Sequence, residues 1–518
     1  MPGSEGEGRS GFLGAMSFVT ASAGYRILAN VINAGATAAT IALAVRLLGT
    51  QSYGRLALGL AAVTLVTTLG RLGLGLATVR IVTGAANDPE RLSRATRGTM
   101  TLVTVASLVS AGVIVPLMVF GPLGLERETR LILAAGLVVM LVGDNYALGV
   151  AAIARGLGHI AVAEALIILI TLGQLATMVV LYVVHLPDLR AVALGFGASG
   201  ALAALVSAGS LVRLLPDVPS PLRFALGAAR TTLRIMVPFA AAAAASAIIT
   251  QLDVFVLGMF HSKSEVGTYQ PTLRLTDGLM QLVPFVLAAG FVPAATRLFM
   301  RGDRNGFRDL YLESTKLGYV LAFPAVLLLG VFPEPVLHAL FGAGFSVRPV
   351  LVWVLLIGYV VNLAVGTNVA ALVSSGDRKR LIWANITGFG TMIVVALGLI
   401  PPFGAVGAAL ATMASYLTWN AAASVALWRS SGLLPSRRDN VVTVATSLAI
   451  LTLGLLTRPL SDGAGLWLAI GWTLMLWLLW IGVLTLAKAL RWRELASLVF
   501  HGGARRREFL SRGVDPAG

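Results

Sequence analysis

The chain has 518 residues, of which 57% are hydrophobic and 12% charged, with a formal net charge of +16. A soluble domain carries about 25% charged residues, so a chain with a mean hydropathy of +0.86 is not three or four domains in water. The composition excludes a secreted enzyme, a nucleic-acid binder and a disordered tail protein, and the lack of cysteine removes disulfides, thiolate metal sites, iron–sulfur clusters and cysteine nucleophiles.

Runs of about 20 apolar residues, the length a helix needs to cross a hydrocarbon core, recur from Ala21 to Leu490. The fold class is therefore all-α, a polytopic integral membrane protein. Met1 to Ser10 are polar and slightly acidic without a basic leader, so the first span is expected to serve as an uncleaved targeting signal. Spans are expected near 22–48, 55–82, 98–120, 131–154, 160–186, 190–213 and 232–260, then near 271–299, 316–341, 347–374, 381–400, 405–428, 441–459 and 465–488, about 14 in all. An even number puts both termini on one side. Basic residues crowd alternate breaks: Arg91, Arg94 and Arg97; Arg223 and Arg230; Arg301, Arg304 and Arg308; Arg378 to Arg380; Arg437 and Arg438; Arg505 to Arg507. The opposite breaks hold only Arg55, Arg127, Arg130, Arg190, Lys263, Arg348 and Arg458. The positive-inside rule then places both termini in the cytoplasm. The excess charge is assigned to topology and to anionic membrane lipid, not to nucleic acid.

The longer inner breaks, Thr83 to Thr99 and Arg301 to Thr315, carry apolar residues such as Phe307, Leu310 and Tyr311 at helical spacing and are expected to be short interfacial helices. The outer breaks leave no room for a catalytic loop. Glu126 and Glu128 are the one carboxylate pair there that a membrane glycosyltransferase or polymerase would use.

An internal repeat is visible. Leu48-Gly49 and Tyr53, followed by Arg80, are echoed by Leu257-Gly258 and Tyr269, followed by Arg297, and Arg155-Gly156 by Ser375-Gly376. Two six-helix lobes in the same orientation follow from an even helix count per copy: an N-lobe over 1–220 and a C-lobe over 221–435. An appended helix pair over 436–490 and a basic cytoplasmic tail over 491–518 complete the chain.

In these residues the chain resembles the oligosaccharide and polysaccharide (Wzx-like) flippases of the multidrug/oligosaccharidyl-lipid/polysaccharide exporter superfamily. The resemblance covers about 22–430 and rests on Ala44-Val-Arg46-Leu-Leu-Gly49-Thr-Gln-Ser-Tyr53-Gly54 and Gly73-Leu-Gly75-Leu-Ala-Thr-Val-Arg80 in the first half. In the second half it rests on Pro238, Asp253-Val-Phe-Val-Leu-Gly258, Val266-Gly267-Thr-Tyr269, Arg274, Phe341-Gly-Ala-Gly-Phe345 and Phe403-Gly404-Ala-Val-Gly407. It implies alternating access of two bundles around a cationic cavity, moving a polyprenyl-pyrophosphate-linked glycan from the inner to the outer leaflet. Glycosyltransferases or a polymerase of the same pathway are the implied partners, and a monomer is expected. The peptidoglycan-precursor branch shares the layout but is expected to carry more basic residues in its first two spans.

A charge in the hydrocarbon core costs at least about 2.5 to 3.5 kcal/mol on insertion scales, so each one calls for a partner or a wet cavity. Arg26, Asn30 and Asn33 share one helix face, as do Arg274, Asp277 and Gln281; Arg71 falls near the middle of its span. Arg26, Asn30, Arg71 and Arg274 are the candidate pyrophosphate contacts, since the arginine fork holds two phosphate oxygens. Structural hydrogen bonding or snorkelling is the alternative for Arg26. Asp144, Asp253, Asp277 and Gln281 are the candidate cavity or ion-coupling residues; a neutral Asp253–Arg274 pair across the hairpin is the alternative for those two. Glu164 is the remaining buried acid, and Arg46 and Arg80 are expected to anchor span ends.

No cofactor or metal is expected, and H⁺ or Na⁺ is the candidate coupling ion, because no G-x-x-x-x-G-K-[ST] sequence occurs. Gly195-Phe-Gly197-Ala-Ser-Gly200 mimics a dinucleotide motif but sits inside a span, where helix packing explains it. Pro238 and Pro324 are expected kinks. A lipid II flippase or a drug or cation exporter of the same superfamily is the nearest competing reading. The excess of Arg26, Arg46, Arg71, Arg80 and Arg274 over Asp144, Glu164, Asp253 and Asp277 favours an anionic substrate over a cationic one.

Overall fold

The computed structural model describes residues 4–487 except 72, 122, 123, 217, 219, 221, 433–437 and 459–464. The side chains described exclude, besides these, residues 4–27, 76, 235, 237–250, 281, 282, 284–286, 288–290, 293, 378 and 438–440. The described residues form fifteen α-helices and no strand: α1 (Ser4–Arg71), α2 (Leu74–Ala85), α3 (Pro89–Phe120), α4 (Arg127–Gly156), α5 (Ile160–Val183), α6 (Leu189–Leu214), α7 (Leu226–Phe260), α8 (Lys263–Met300), α9 (Arg304–Val331), α10 (Pro333–Phe341), α11 (Pro349–Val365), α12 (Asn368–Ser374), α13 (Arg378–Ser431), α14 (Arg438–Thr457) and α15 (Leu466–Leu486).

Among the described residues eight helices are long and apolar enough to cross a membrane, and nine if α11 and α12, bent by 44°, form one span. Two of the eight are far longer than a bilayer requires, Leu28–Arg71 with 44 residues and Lys379–Ser431 with 53. Each turns at a glycine in a backbone conformation that other residues avoid, Gly49 with φ 72° in α1 and Gly404 with φ 56° in α13. The chain is a multi-pass membrane protein.

The interfacial helices expected at Thr83 to Thr99 and Arg301 to Thr315 are not separate elements. Asp88 accepts hydrogen bonds from the Glu90 and Arg91 N–H groups, and α3 then runs unbroken from Pro89 through Arg97 to Phe120. Asp303 likewise accepts from Gly306 N–H and starts α9, which continues past Lys316 to Val331. These caps satisfy the first free N–H groups, and no helix breaker separates the basic turns from the apolar ones. The stretch expected as one span over 316–341 divides instead at Pro333, which has no N–H to continue the ladder.

The chain forms two compact units. One comprises Met1–Gly278, Leu340–Leu351 and Phe389–Ala414, the other Leu279–Ala339, Val352–Gly388 and Ser415–Gly518. In the first unit α4 and α6 approach backbone to backbone: a side chain on Gly136 would strike the Ala193 carbonyl, and one on Gly143 the Gly200 carbonyl. Small residues allow such contact where lipid supplies no hydrophobic drive between helices. The glycine-rich stretch of α6 is therefore a packing face, with Gly197 and Gly200 on α4 and Gly195 against Thr177 of α5. Leu74, Val82, Met100, Val103, Val150 and Ile153 fill the core beside it.

The second unit is built on aromatic packing. Trp480 of α15 lies 4.4 Å from the Phe323 ring of α9, centroid to centroid, and Phe291, Phe307, Tyr311 and Leu427 form a further buried group. Within it the buried Asn368 amide donates to the Asn420 carbonyl at 3.2 Å and to Ser424 Oγ at 3.1 Å.

Candidate functional site

The site begins at the repeated hairpin. After Gly49, α1 continues with Thr50, Tyr53 and Gly54, which lie against the first turns of α8. A side chain on Gly54 would strike the Lys263 carbonyl, and one on Gly267 the Thr50 carbonyl. Gly54 and Gly267 thus let two backbones touch, and Thr50 Oγ1 and Ser264 Oγ share a hydrogen bond of 3.2 Å beside them. The crossing buries two tyrosines of the repeat motif, Tyr53 at 2% exposure and Tyr269 at 0%. A buried phenol needs a partner. Tyr53 donates to Gln270 Oε1, and Tyr269 donates to Asp253 Oδ2 at 2.6 Å.

Asp253 of α7 is the hub. Its Oδ1 accepts from Val254 N–H at 2.8 Å, and its Oδ2 also accepts from Thr412 Oγ1 of α13 at 3.4 Å. Arg274, half-buried one turn beyond Gln270 in α8, is close enough to act electrostatically on Asp253, Tyr269 and Tyr53. No ion pair within 4.0 Å joins Arg274 to Asp253 among the described residues. The carboxylate is held by hydroxyl and backbone donors, and the guanidinium is not committed to it.

A second polar group lies in the same unit on α1, α3 and α4. Arg71 and Asp144, both half-buried, lie within each other's electrostatic reach. Arg71 Nε donates to the carbonyl of Thr67 in its own helix at 3.2 Å. Asp144 Oδ1 is buried with no hydrogen-bond partner among the described residues, as are Asn145 Oδ1 and Ser110 Oγ. Asn145 Nδ2 donates to Ser107 Oγ at 3.0 Å.

Arg274 and Asp253 thus come together as one candidate cluster and Arg71 and Asp144 as another. Asn30 and Asp277 are half-buried, while Arg26 and Gln281 lie outside the described side chains. Glu164 is taken up structurally: Arg155 Nη2 reaches its Oε1 at 3.0 Å. Arg46 Nε donates to the Leu340 carbonyl at 2.8 Å, and Arg80 is exposed. Among the described residues no group of three or more His, Cys, Asp or Glu is placed to hold a metal ion.

Sequence reasoning used Tyr53 and Tyr269 as letters of a motif and missed them, with Gln270 and Thr412, as members of the site. The usable signal was a tyrosine inside an apolar helix, since such a phenol has to find an acceptor. A further network was missed. Glu265 Oε1 accepts from Arg348 Nη1 and from Ala405 N–H, both at 3.1 Å, its Oε2 lies 3.2 Å from His261 Nδ1, and His261 Nε2 lies 2.9 Å from the Ile400 carbonyl. The network ties the α7–α8 turn to the kink of α13.

With this geometry in place, comparison with known proteins decides the family. Residues 19–299 match the polysaccharide biosynthesis protein family. The chain belongs to that family. Over 168 residues, 32% of the chain, it is 25% identical to the probable low-salt glycan biosynthesis flippase Agl15 of Haloferax volcanii, covering 35% of that relative. Over 187 residues, 36% of the chain, it is 30% identical to the probable flippase AglR of the same organism, covering 39% of it. The chain therefore spans well under half the length of the curated relatives it matches. Among solved structures, the lipid II flippase MurJ in an inward closed conformation superposes with a TM-score of 0.66 at 13% identity, covering 90% of this chain and 98% of that one. The polysaccharide biosynthesis family member described here thus has the fold of that flippase.

Proposed function

We propose that the protein is a flippase that moves a polyprenyl-pyrophosphate-linked oligosaccharide from the inner to the outer leaflet of a bacterial plasma membrane for cell-surface polysaccharide export. Membership of the polysaccharide biosynthesis family supports the glycan, and the names of the two Haloferax relatives support the transport step. The observation that carries the reading is that Arg71 and Arg274 are kept inside apolar helices with no carboxylate within 4.0 Å of either guanidinium among the described residues. Arg71 and Arg274, with Arg26 and Asn30, supply the pyrophosphate contacts, because an arginine fork stays charged when desolvated and can hold two phosphate oxygens. The acids supply coupling: Asp144, Asp253 and Asp277, with Gln281, take up H⁺ or Na⁺ when the phosphate has left.

The proposed transporter has fourteen spans in two six-helix lobes, 1–220 and 221–435, with an appended pair over 436–490 and a basic tail over 491–518. Both termini are cytoplasmic. It works as a monomer by alternating access of the lobes and receives its substrate from glycosyltransferases of its pathway. Reconstituted protein is expected to make a fluorescent polyprenyl-pyrophosphate oligosaccharide accessible to a membrane-impermeant quencher. The Arg26→Gln, Arg71→Gln, Arg274→Gln triple variant, folded and inserted, is expected to lose this activity. Movement at the parental rate by that variant, or transport of a cationic dye without the lipid, sinks the reading.

A further inference from the structure

A shallow groove of about 60 Å³ opens on the first unit between the part of α1 beyond Gly49, the end of α3 and the end of α7. Its walls are almost wholly apolar, with Leu58, Ala62, Met118, Phe255 and Met259 among them, and Lys263 closes one end. Met259 is 65% exposed and stands at the rim. α7 lies so close to α1 here that a side chain on Gly258 would strike Leu58.

The charged end is unusual. Lys263 Nζ donates to the Gly258 carbonyl at 2.6 Å, and no ion pair joins it to an acid among the described residues. Burial and the neighbouring Arg55 guanidinium both push the Lys263 ammonium below the ordinary lysine range. Arg55 Nε is buried with no hydrogen-bond partner among the described residues. The acids of the flanking turns are committed elsewhere: Glu126 and Glu128 to Arg190 at 3.7 and 3.1 Å, and Glu265 to Arg348 and His261. Two cations that repel each other, Lys263 at the end of the groove and Arg55 neighbouring it, are therefore held with no ion-paired acid among the described residues.

We infer that this groove is a binding site for an anionic phospholipid, one acyl chain lying along Leu58, Phe255 and Met259 and the phosphate bridging Arg55 and Lys263. Charge complementarity selects the occupant. An apolar groove alone accepts any acyl chain, whereas the two cations add about fivefold each in preference for a negative headgroup. Neither Arg55 nor Lys263 is among the proposed pyrophosphate contacts, so the inference does not rest on the transport reading.

The test uses the full-length protein in nanodiscs with spin-labelled phosphatidylglycerol and phosphatidylcholine. Phosphatidylglycerol is expected to be immobilised at least about fivefold in preference to phosphatidylcholine. The Arg55→Gln, Lys263→Gln double variant is expected to bind both alike, and Arg55→Lys to retain the preference. Met259→Glu places a like charge at the exposed rim and is expected to weaken phosphatidylglycerol selectively, which keeps the test open should the double variant fold poorly. Equal immobilisation of the two lipids by the parent, a preference that survives the double variant, or displacement of phosphatidylglycerol by equimolar polyprenyl diphosphate overturns the proposal.

Discussion

Gly267→Ala is the sharpest structural perturbation available. The added methyl would overlap the Thr50 carbonyl oxygen, which belongs to backbone and cannot rotate away, so α1 and α8 have to separate. Overpacking of this kind costs about 1 to 3 kcal/mol. Separation also stretches the Tyr53 to Gln270 hydrogen bond three residues on, adding about 0.5 to 1.5 kcal/mol for its loss. The expected loss of stability is therefore about 1.5 to 4.5 kcal/mol, read by denaturant unfolding in mixed micelles. Gly278→Ala is the matched control in the same helix, because nothing lies within 4 Å of its new methyl, and it is expected to leave stability unchanged or slightly raised by the better helix propensity of alanine. Equal effects of the two substitutions would refute the backbone contact and with it the account of how the tyrosines are placed.

Other expectations follow from the same geometry. Tyr269→Phe removes the 2.6 Å donor from the Asp253 carboxylate and is expected to cost about 1.5 to 3 kcal/mol, measured by unfolding; a neutral result would show that the phenol does not hold the acid. Glu265→Ala withdraws one carboxylate from Arg348, His261 and the Ala405 N–H group and is expected to speed protease cleavage near the α13 kink, whereas unchanged cleavage would argue that Gly404 sets the kink alone. Lys263 binds its proton less tightly folded than unfolded, since its folded pKa lies below the ordinary 10.5. Its charge then costs stability at neutral pH, and the cost fades as pH rises from the folded value toward 10.5. Lys263→Gln is thus expected to be no less stable than the parent at pH 7 in phosphatidylcholine, with any gain gone above the lysine range; a loss at pH 7 contradicts it.

The class of fold was legible because apolar runs of bilayer length leave few alternatives, and the breaks at Gly49 and between residues 400 and 405 were visible as glycine and proline. The interfacial helices were misjudged because charge marks where a helix leaves lipid, not where it ends. Arg91 to Arg97 have the same 3.6-residue geometry as the apolar turns after them, and the cap that starts α3 sits earlier, at Asp88. Within the site, Arg71, Arg274, Asp144 and Asp253 stood out because charge is rare inside spans. Their arrangement did not. That Asp253 is bound by Tyr269 and Thr412, and not paired with Arg274, depends on α13 returning to α7 and α8, a long-range contact that spacing along one helix does not encode.

The contrast between two arginines separates a structural charge from one held for a ligand. Arg155 reaches Glu164 directly at 3.0 Å, and the Glu164 side chain is only 8% exposed. Removing one member of a fully buried pair costs about 3 to 5 kcal/mol because the other is left charged and alone, a figure to be lowered here since the Arg155 side chain is 30% exposed. Arg274 is placed differently. Asp253, within its electrostatic reach, already accepts from Val254, Tyr269 and Thr412, so Arg274→Gln does not leave that carboxylate without donors. Arg155→Gln is accordingly expected to lower stability by about 2 kcal/mol or more, with transport per folded molecule little changed. Arg274→Gln is expected to keep its stability within about 1 kcal/mol and to lose binding of polyprenyl-pyrophosphate oligosaccharide. If Arg274→Gln unfolds the protein while lipid binding by the folded fraction persists, Arg274 is a structural partner of Asp253 after all, and the phosphate-facing role passes to Arg71.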